Sequence, residues 1–169
     1  VGWSAGYKCT TSGVTAIGSS ALYNMTSGQN TAVGFQAGNL VSTGAENTLL
    51  GYNAGKKLTT QGGNVAVGHR AMDDGLNTNS IAIGVRTLYN AFSGDANTAI
   101  GYNAMHGGSG GGTYTCANNT ALGCQALGCV SSGGSNTAVG YQAMLGVDTT
   151  YVTGTNNAAL GYQSLKGIT

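Results

Sequence analysis

The sequence predicts an all-β fold, a parallel β-roll (β-solenoid) in which each sequence repeat forms one coil stacked on the previous coil. Three observations lead to this fold class. A short motif recurs from one end of the chain to the other, its copies are separated by a nearly constant spacing, and its apolar residues keep the same place in every copy. A fixed period with occasional insertions is typical of a solenoid.

The recurring motif is Asn-Thr-Ala-Val-Gly-Phe-Gln-Ala at residues 30–37, with close copies at 97–104, 119–126 and 136–143. Each copy is numbered from its central glycine, which is position 0. Successive central glycines are separated by 16, 16, 17, 17, 16, 17, 22, 17 and 21 residues. This spacing predicts about ten coils of 16–17 residues in a single solenoid domain over residues 1–169. The central glycines are Gly2, Gly18, Gly34, Gly51, Gly68, Gly84, Gly101, Gly123, Gly140 and Gly161.

Positions −3 to −1 predict a short strand. Position −1 is Val, Ile or Leu in every copy, and position −2 is Ala in every complete copy except at Leu49. Successive side chains of a strand point to opposite faces, so positions −3 and −1 share one face and position −2 lies on the other. Because both faces are largely apolar, we expect the strand to be buried on both sides and position −1 to be dry.

Position −4 is asparagine in seven copies. In coils stacked about 4.8 Å apart, identical amides can hydrogen-bond along the column as an asparagine ladder. We therefore predict a structural role for these side chains. They are Asn30, Asn47, Asn64, Asn97, Asn119, Asn136 and Asn157.

The residues after the central glycine predict a second short strand. Position +1 is usually aromatic, position +2 is always polar and position +3 is nearly always Ala. This alternation predicts one wet face and one dry face, with the aromatic residues stacked in a column. The glycine between the two strands fits a turn with positive φ or a close backbone approach. Glycine recurs too often for a helix, and no 3.6-residue apolar stripe persists.

The composition excludes several functional classes. The chain has 31 glycines, no proline, 7% charged residues, 41% hydrophobic residues and a net charge of +1. This balance argues against disorder, which goes with few apolar residues and a high net charge. The six basic residues are mostly scattered, so nucleic acid and anionic membranes are not expected as the main partners. No apolar run approaches the roughly 18 residues that span a bilayer, so we expect no membrane insertion in this segment.

The cysteines do not predict a disulfide framework or a zinc site, because they are few and lack paired spacing. A disulfide from Cys116 to Cys124 or Cys129 stays open.

No catalytic, cofactor-binding or metal-binding site is predicted. The carboxylates lie mostly in turns, and only Asp73 and Asp74 could contribute to an acid pair for glycoside cleavage. His69 and His106 have no acid or cysteine in phase with them that would complete a metal site. We therefore expect a protein that is not an enzyme and carries no cofactor.

Two insertions break the period, at 106–118 and 147–156. Excess residues on a regular scaffold are common places for binding. Tyr114 and Tyr151 are therefore candidate surface-binding residues, although solvated loops without a partner fit the sequence equally well.

A single roll with mostly alanine inside cannot hold a thick core and would expose a long apolar stripe, which monomers seldom do. We therefore expect copies of the chain to pack side by side.

The repeat Asn-x-Ala-[Val/Ile/Leu]-Gly-x-x-Ala, which spans essentially the whole chain, resembles the head repeats of trimeric autotransporter adhesins (the YadA-like head) and related repeats of phage and other viral tail fibres. The resemblance implies a left-handed parallel β-roll that forms a side-by-side homotrimer outside a cell or virion. Adhesin-head repeats are typically shorter and poor in cysteine. The longer form with Tyr-Gln or Tyr-Asn after the glycine is more similar to viral fibres.

The resemblance implies a segment of a longer fibre, structural and receptor-binding, which attaches a virion to a glycan or protein on a host surface. One alternative is the head of a bacterial trimeric surface adhesin, located at the cell surface. A second alternative is an ice- or surface-binding solenoid, which would use a flat face of threonine columns. Position −3 carries Thr31, Thr48, Thr98, Thr120 and Thr137, interrupted by Val65, Ile81 and Ala158.

Overall fold

The computed structural model describes residues 1–90, 93–108, 114–146 and 152–167. Across these residues the chain is an all-β solenoid of about eight turns and contains no helix. Nine strands of three residues each form one sheet, in which every strand pairs in parallel with the next strand in sequence. The strands are β1 (Thr15–Ile17), β2 (Thr31–Val33), β3 (Thr48–Leu50), β4 (Val65–Val67), β5 (Ile81–Ile83), β6 (Thr98–Ile100), β7 (Thr120–Leu122), β8 (Thr137–Val139) and β9 (Ala158–Leu160).

The register aligns the same repeat position in every coil. Thr31 of β2 pairs with Thr48 of β3, Ala32 with Leu49, and Val33 with Leu50, and the other strand pairs follow the same rule. The side chains alternate as a strand requires, with position −2 inside and positions −3 and −1 outside. Vertical stacking of equivalent positions, which the period predicts, is confirmed.

Position −1 is not in the interior of the chain, contrary to the expectation of a dry site. Ile83 remains 38% exposed and Leu122 45% exposed, whereas Ala82 and Ala121 beside them are fully buried. The inside of the coil is narrow, and only the small side chain at position −2 fits there. The aliphatic residues at position −1 therefore form a column on the outside of the solenoid.

The predicted second strand is also wrong, because the residues after the central glycine form consecutive tight turns. The backbone N–H at position +3 donates to the glycine carbonyl, as from Ala37 to Gly34 at 3.3 Å. Position +2 has positive φ in every copy, as at Gln36 with φ 53°, and this is the conformation of the third residue of a type II turn. Position +4 also has positive φ, as at Leu88 with φ 49°. An extended second strand is incompatible with these angles.

The turns bring a set of larger side chains into the core that the sequence pattern did not indicate. Leucine or methionine at position +4 is fully buried in most copies, together with an apolar residue at position +7. The alanines at positions −2 and +3 pack against them. The buried large side chains at these two positions are Leu22, Met25, Val41, Leu58, Met72, Leu88, Met105, Leu127, Val130 and Met144.

Leu49, the exception at position −2, compensates for two glycines at position +4. A Cβ added at Gly38 would lie 2.7 Å from Leu49 Cδ1, and one added at Gly55 would lie 2.7 Å from Leu49 Cδ2. One long side chain at position −2 thus fills the space that two leucine or methionine side chains fill in other coils. The total core volume is conserved while its source changes.

Replacing Leu49 with alanine should therefore leave a cavity that the neighbouring coils cannot fill. We expect a loss of about 3 kcal/mol in the free energy of unfolding, measured by denaturant titration. The same substitution made together with Gly38→Leu should recover part of the loss, because leucine adopts the required φ at position +4 of another coil, at Leu22. A single variant that unfolds like the wild type would contradict this packing.

The central glycines are required by both conformation and space. Gly84 has φ +133°, which L-residues rarely adopt, and a Cβ there would lie 2.5 Å from the carbonyl oxygen of Gly101 in the next coil. The column from Gly18 to Gly140 repeats this geometry, with the next glycine carbonyl within 3.0 Å of each added Cβ. Both reasons proposed for the glycine are confirmed.

The asparagine column forms the predicted ladder, with a difference in its bonding. The Oδ1 atom of Asn119 accepts the backbone N–H of Asn136 at 2.9 Å, and its Nδ2 donates to Gly133 O at 3.0 Å. Amide-to-amide bonds also occur, as from Asn47 Nδ2 to Asn30 Oδ1 at 2.9 Å. Each described amide therefore bonds mainly to backbone groups of the neighbouring coil, and those from Asn30 to Asn136 are buried.

The interruption of this column at Ser80 is repaired by a second side chain. Ser80 Oγ accepts the backbone N–H of Asn97 at 3.1 Å, which replaces the acceptor role of an asparagine. Serine cannot reach the turn carbonyl of the next coil, and Asn77 Nδ2 donates to Gly94 O at 2.6 Å instead. Two residues thus perform the two functions of one asparagine.

Candidate functional site

The outer face of the sheet is the main candidate functional surface. We define the outer face as positions −3, −1 and +1 of all coils, which lie side by side on the solvent side of the solenoid. It is built mainly from Thr, Val, Ile, Leu and aromatic side chains, and many of them are more than one-third exposed. The in-register pairing makes it a continuous strip along the whole described sheet.

The aromatic residues at position +1 form stacks along one edge of the outer face. Ring centroids are 5.3 Å apart between Phe35 and Tyr52, 5.2 Å between Tyr52 and His69, and 5.4 Å between Tyr141 and Tyr162, with interplanar angles of 10–13°. The stacks are held in register by backbone bonds between coils, as from Gln163 N–H to Tyr141 O at 2.9 Å. The predicted aromatic column is confirmed, with breaks where position +1 is not aromatic.

The outer face carries no Asp, Glu, Lys or Arg. Nine strands at about 4.8 Å make it ~43 Å long, and four residues from position −3 to +1 make it ~13 Å wide. Its flat area of about 560 Å² is of the order of the ~800 Å² that each partner contributes to a standard protein interface. A strip of this size with no charge is a surface that a soluble protein normally covers.

Most of the chain's charged residues lie on a different side of the solenoid, in one cluster. Asp73 accepts from Arg70 Nε at 2.6 Å, and Asp74 pairs with Lys57 Nζ at 2.7 Å. The bond to Asp73 raises the pKa of Arg70, and the bond to Asp74 raises the pKa of Lys57. Each carboxylate of the adjacent acid pair is thus engaged by a cation, an arrangement that stabilises both as anions and does not favour a proton donor.

The two tyrosines proposed as surface contacts have different outcomes. Tyr114 is only 4% exposed, and its hydroxyl donates to Gly108 O at 2.8 Å. It is therefore a core residue that fixes the base of the first insertion, which corrects the expectation of a surface contact. Tyr151 lies outside the described residues. Nearby, burial lowers the pKa of His106, with a smaller contribution from the charge of Arg86.

The cysteines are free thiols throughout. Cys116 is buried, and burial raises the pKa of its thiol to about 12. Burial also raises the pKa of Cys129. The disulfide left open by the sequence is not formed, and raised pKa values make these two thiols poor nucleophiles.

Within the described residues no group of three or more His, Cys, Asp or Glu side chains is arranged to hold a metal ion. The same part of the chain has no helix that could cross a membrane.

The chain matches no protein-family model, and neither the curated proteins nor the solved structures include a significant match to it.

Proposed function

We propose that the chain is a segment of a fibre in which three copies pack side by side through their outer faces. The segment is structural and receptor-binding, and it attaches a virion to a host surface in the manner of a viral tail fibre. The observation that carries this proposal is the uncharged outer face, which extends along the whole described sheet. The number three and a left-handed coil rest on the repeat's resemblance to known fibre and adhesin repeats.

Copies of the same chain are the best-matched occupant of the outer face. The face has the length of the solenoid and repeats every coil, so only a partner with the same rise can remain in register along it. A second copy has that rise. Around a rotational axis, identical strips meet at equivalent levels and each copy covers part of its neighbour's apolar surface. The aliphatic column at position −1 would then become dry.

The proposed function is non-enzymatic. The acid pair is engaged by cations, the described thiols are free but mostly sheltered, and the most extensive exposed feature is an apolar strip. These features suit assembly and attachment. A bacterial adhesin head at the cell surface uses the same physics and differs in how the segment is anchored, so sequencing the flanking regions separates the two.

Placing a charge in the middle of the outer face should dissociate the assembly without unfolding the chain. Ile83 is 38% exposed at position −1, so Ile83→Lys is tolerated by a single chain but would bury unpaired ammonium groups in the assembly. We expect sedimentation velocity to change from trimer to monomer, with an unchanged far-ultraviolet circular dichroism spectrum. Thr60→Lys, in an exposed turn, is the matched control and should stay trimeric. A trimeric Ile83→Lys protein would contradict the proposed interface.

Ice or mineral binding is the second candidate, supported by one observation. In the single chain the threonines at position −3 lie on the outside of a regular sheet, and Thr15, Thr31 and Thr48 follow each other without interruption. Val65 and Ile81 then break the column. Thermal hysteresis measurements separate the two functions, because an assembled trimer with covered faces should show none.

A further inference from the structure

The charged cluster contains more positive charge than its acids neutralise. In three neighbouring coils, Lys56, Lys57, Arg70 and Arg86 face two acids, which gives a local charge of 4 − 2 = +2, against +1 for the whole chain. The ion pairs use Arg70 and Lys57. Arg86 is exposed and forms no ion pair with the described residues. It is thus an exposed, uncompensated guanidinium in a chain with very few charges.

Arg86 is held in a defined place. Its backbone N–H donates to His69 O at 3.0 Å, and its guanidinium carbon lies 5.4 Å from the centroid of the Tyr89 ring. Arg70, already paired with Asp73, lies 4.6 Å from the same ring centroid. The ring attracts both cations, which restricts the Arg86 side chain and reduces the entropy it loses on binding a ligand.

The position of Arg86 suits binding in an assembled fibre. It is at position +2, next to the aromatic edge of the outer face, so it lies at the rim of the proposed interface and not within it. Its planar fork of donors matches a carboxylate.

The surroundings favour a carboxylated sugar over a nucleic acid. Asn103 and the other residues at position +2 outside this cluster are uncharged amides or serines, groups that hydrogen-bond sugar hydroxyls. A polyphosphate needs a line of several cations.

We propose that Arg86, supported by Tyr89, binds the carboxylate of an acidic polysaccharide on the surface to which the fibre attaches. This deepens the proposed function and rests on it. One exposed carboxylate–guanidinium pair contributes only ~0.2–1 kcal/mol. Useful affinity therefore comes from several copies of the chain contacting successive sugar carboxylates of one polymer.

The test uses the full chain and immobilised polygalacturonate, with its carboxyl-reduced form and polyglutamate as comparison surfaces. Arg86→Gln is the informative variant, because glutamine already occupies position +2 at Gln36, Gln125, Gln142 and Gln163 with the same positive φ. Lys166→Gln removes an exposed cation elsewhere and is the matched control.

We expect binding to polygalacturonate that weakens about tenfold or more in Arg86→Gln and stays within about twofold in Lys166→Gln. Carboxyl reduction should abolish it. The proposal is overturned if the wild type does not bind, if both variants lose affinity equally, or if polyglutamate binds as well as the polysaccharide, which would indicate an acidic protein partner. The mass of each protein is measured in parallel. A trimer that does not bind sugar refutes this site alone, whereas a monomeric wild type refutes the proposed assembly.

Discussion

Gly84→Ala is expected to lower the free energy of unfolding by more than about 4 kcal/mol, a larger loss than that from truncating a core leucine. The new Cβ would lie 2.5 Å from the oxygen and 2.8 Å from the carbon of the Gly101 carbonyl. Neither coil can move away, because the Gly84 N–H is bonded to Val67 O at 2.8 Å and the Gly101 N–H to Ile83 O at 2.8 Å. Denaturant unfolding followed by circular dichroism measures the effect.

Gly161→Ala separates the two costs in this prediction. Gly161 has a comparable φ of +115°, but nothing lies within 4 Å of an added Cβ. It should lose only the ~1–3 kcal/mol of an unfavourable backbone conformation. Equal losses at Gly84 and Gly161 would show that close approach between coils is not what requires glycine.

Asn97→Leu is expected to cost about 4 kcal/mol, because it removes several buried hydrogen bonds at once. The Nδ2 atom of Asn97 donates to Cys116 O at 2.7 Å and to Gly94 O at 2.8 Å, and its Oδ1 accepts the backbone N–H of Asn119 at 3.0 Å. Leucine has a similar size but leaves these buried groups without their partner. Thermal and denaturant unfolding measure the loss.

Asn97→Ser provides a graded comparison. Ser80 already shows that a serine oxygen at this column position accepts the backbone N–H of the next coil. The serine variant should keep that bond, lose the two bonds to carbonyls, and fall between the wild type and Asn97→Leu in stability. A leucine variant as stable as the serine variant would contradict a hydrogen-bonding role for the column.

The stacking of the fold could be predicted from the sequence because it depends on translation alone. When every coil has the same length, equivalent residues must align, and the identical amides at position −4 and rings at position +1 must face each other. Insertions did not disturb this: Ile100 and Leu122 pair directly although 22 residues separate them. The repair of the ladder by Asn77 was not predictable, because it depends on where a turn places one side chain.

The inside and the outside of the coil were harder to assign. The constant aliphatic residue at position −1 suggested burial, but periodicity within one chain cannot distinguish the core of a coil from a surface that partners cover. The buried residues at position +4 were missed because their left-handed backbone, as at Met72 with φ 55°, is an unusual conformation for a large side chain. Glycines at Gly38 and Gly55 further masked the column, and only the structure shows that Leu49 fills their space.

The candidate sites followed the same division. The apolar strip was predicted from composition, since a chain with so few charges cannot solvate every side of a thin roll. The environment of Arg86 was not, because Tyr89 and Arg70 meet it through the return path of the coil and not through the repeat motif. Tyr114 illustrates the opposite error, in which an aromatic residue in an insertion is buried and not presented.

The mass of the wild-type protein in solution tests the central claim most directly. One chain has a mass of 16.7 kDa, so three copies have 3 × 16.7, about 50 kDa. Light scattering coupled to size-exclusion chromatography at micromolar concentration should give the value for three copies. A single species at 16.7 kDa, with its outer face open to solvent, would contradict the account.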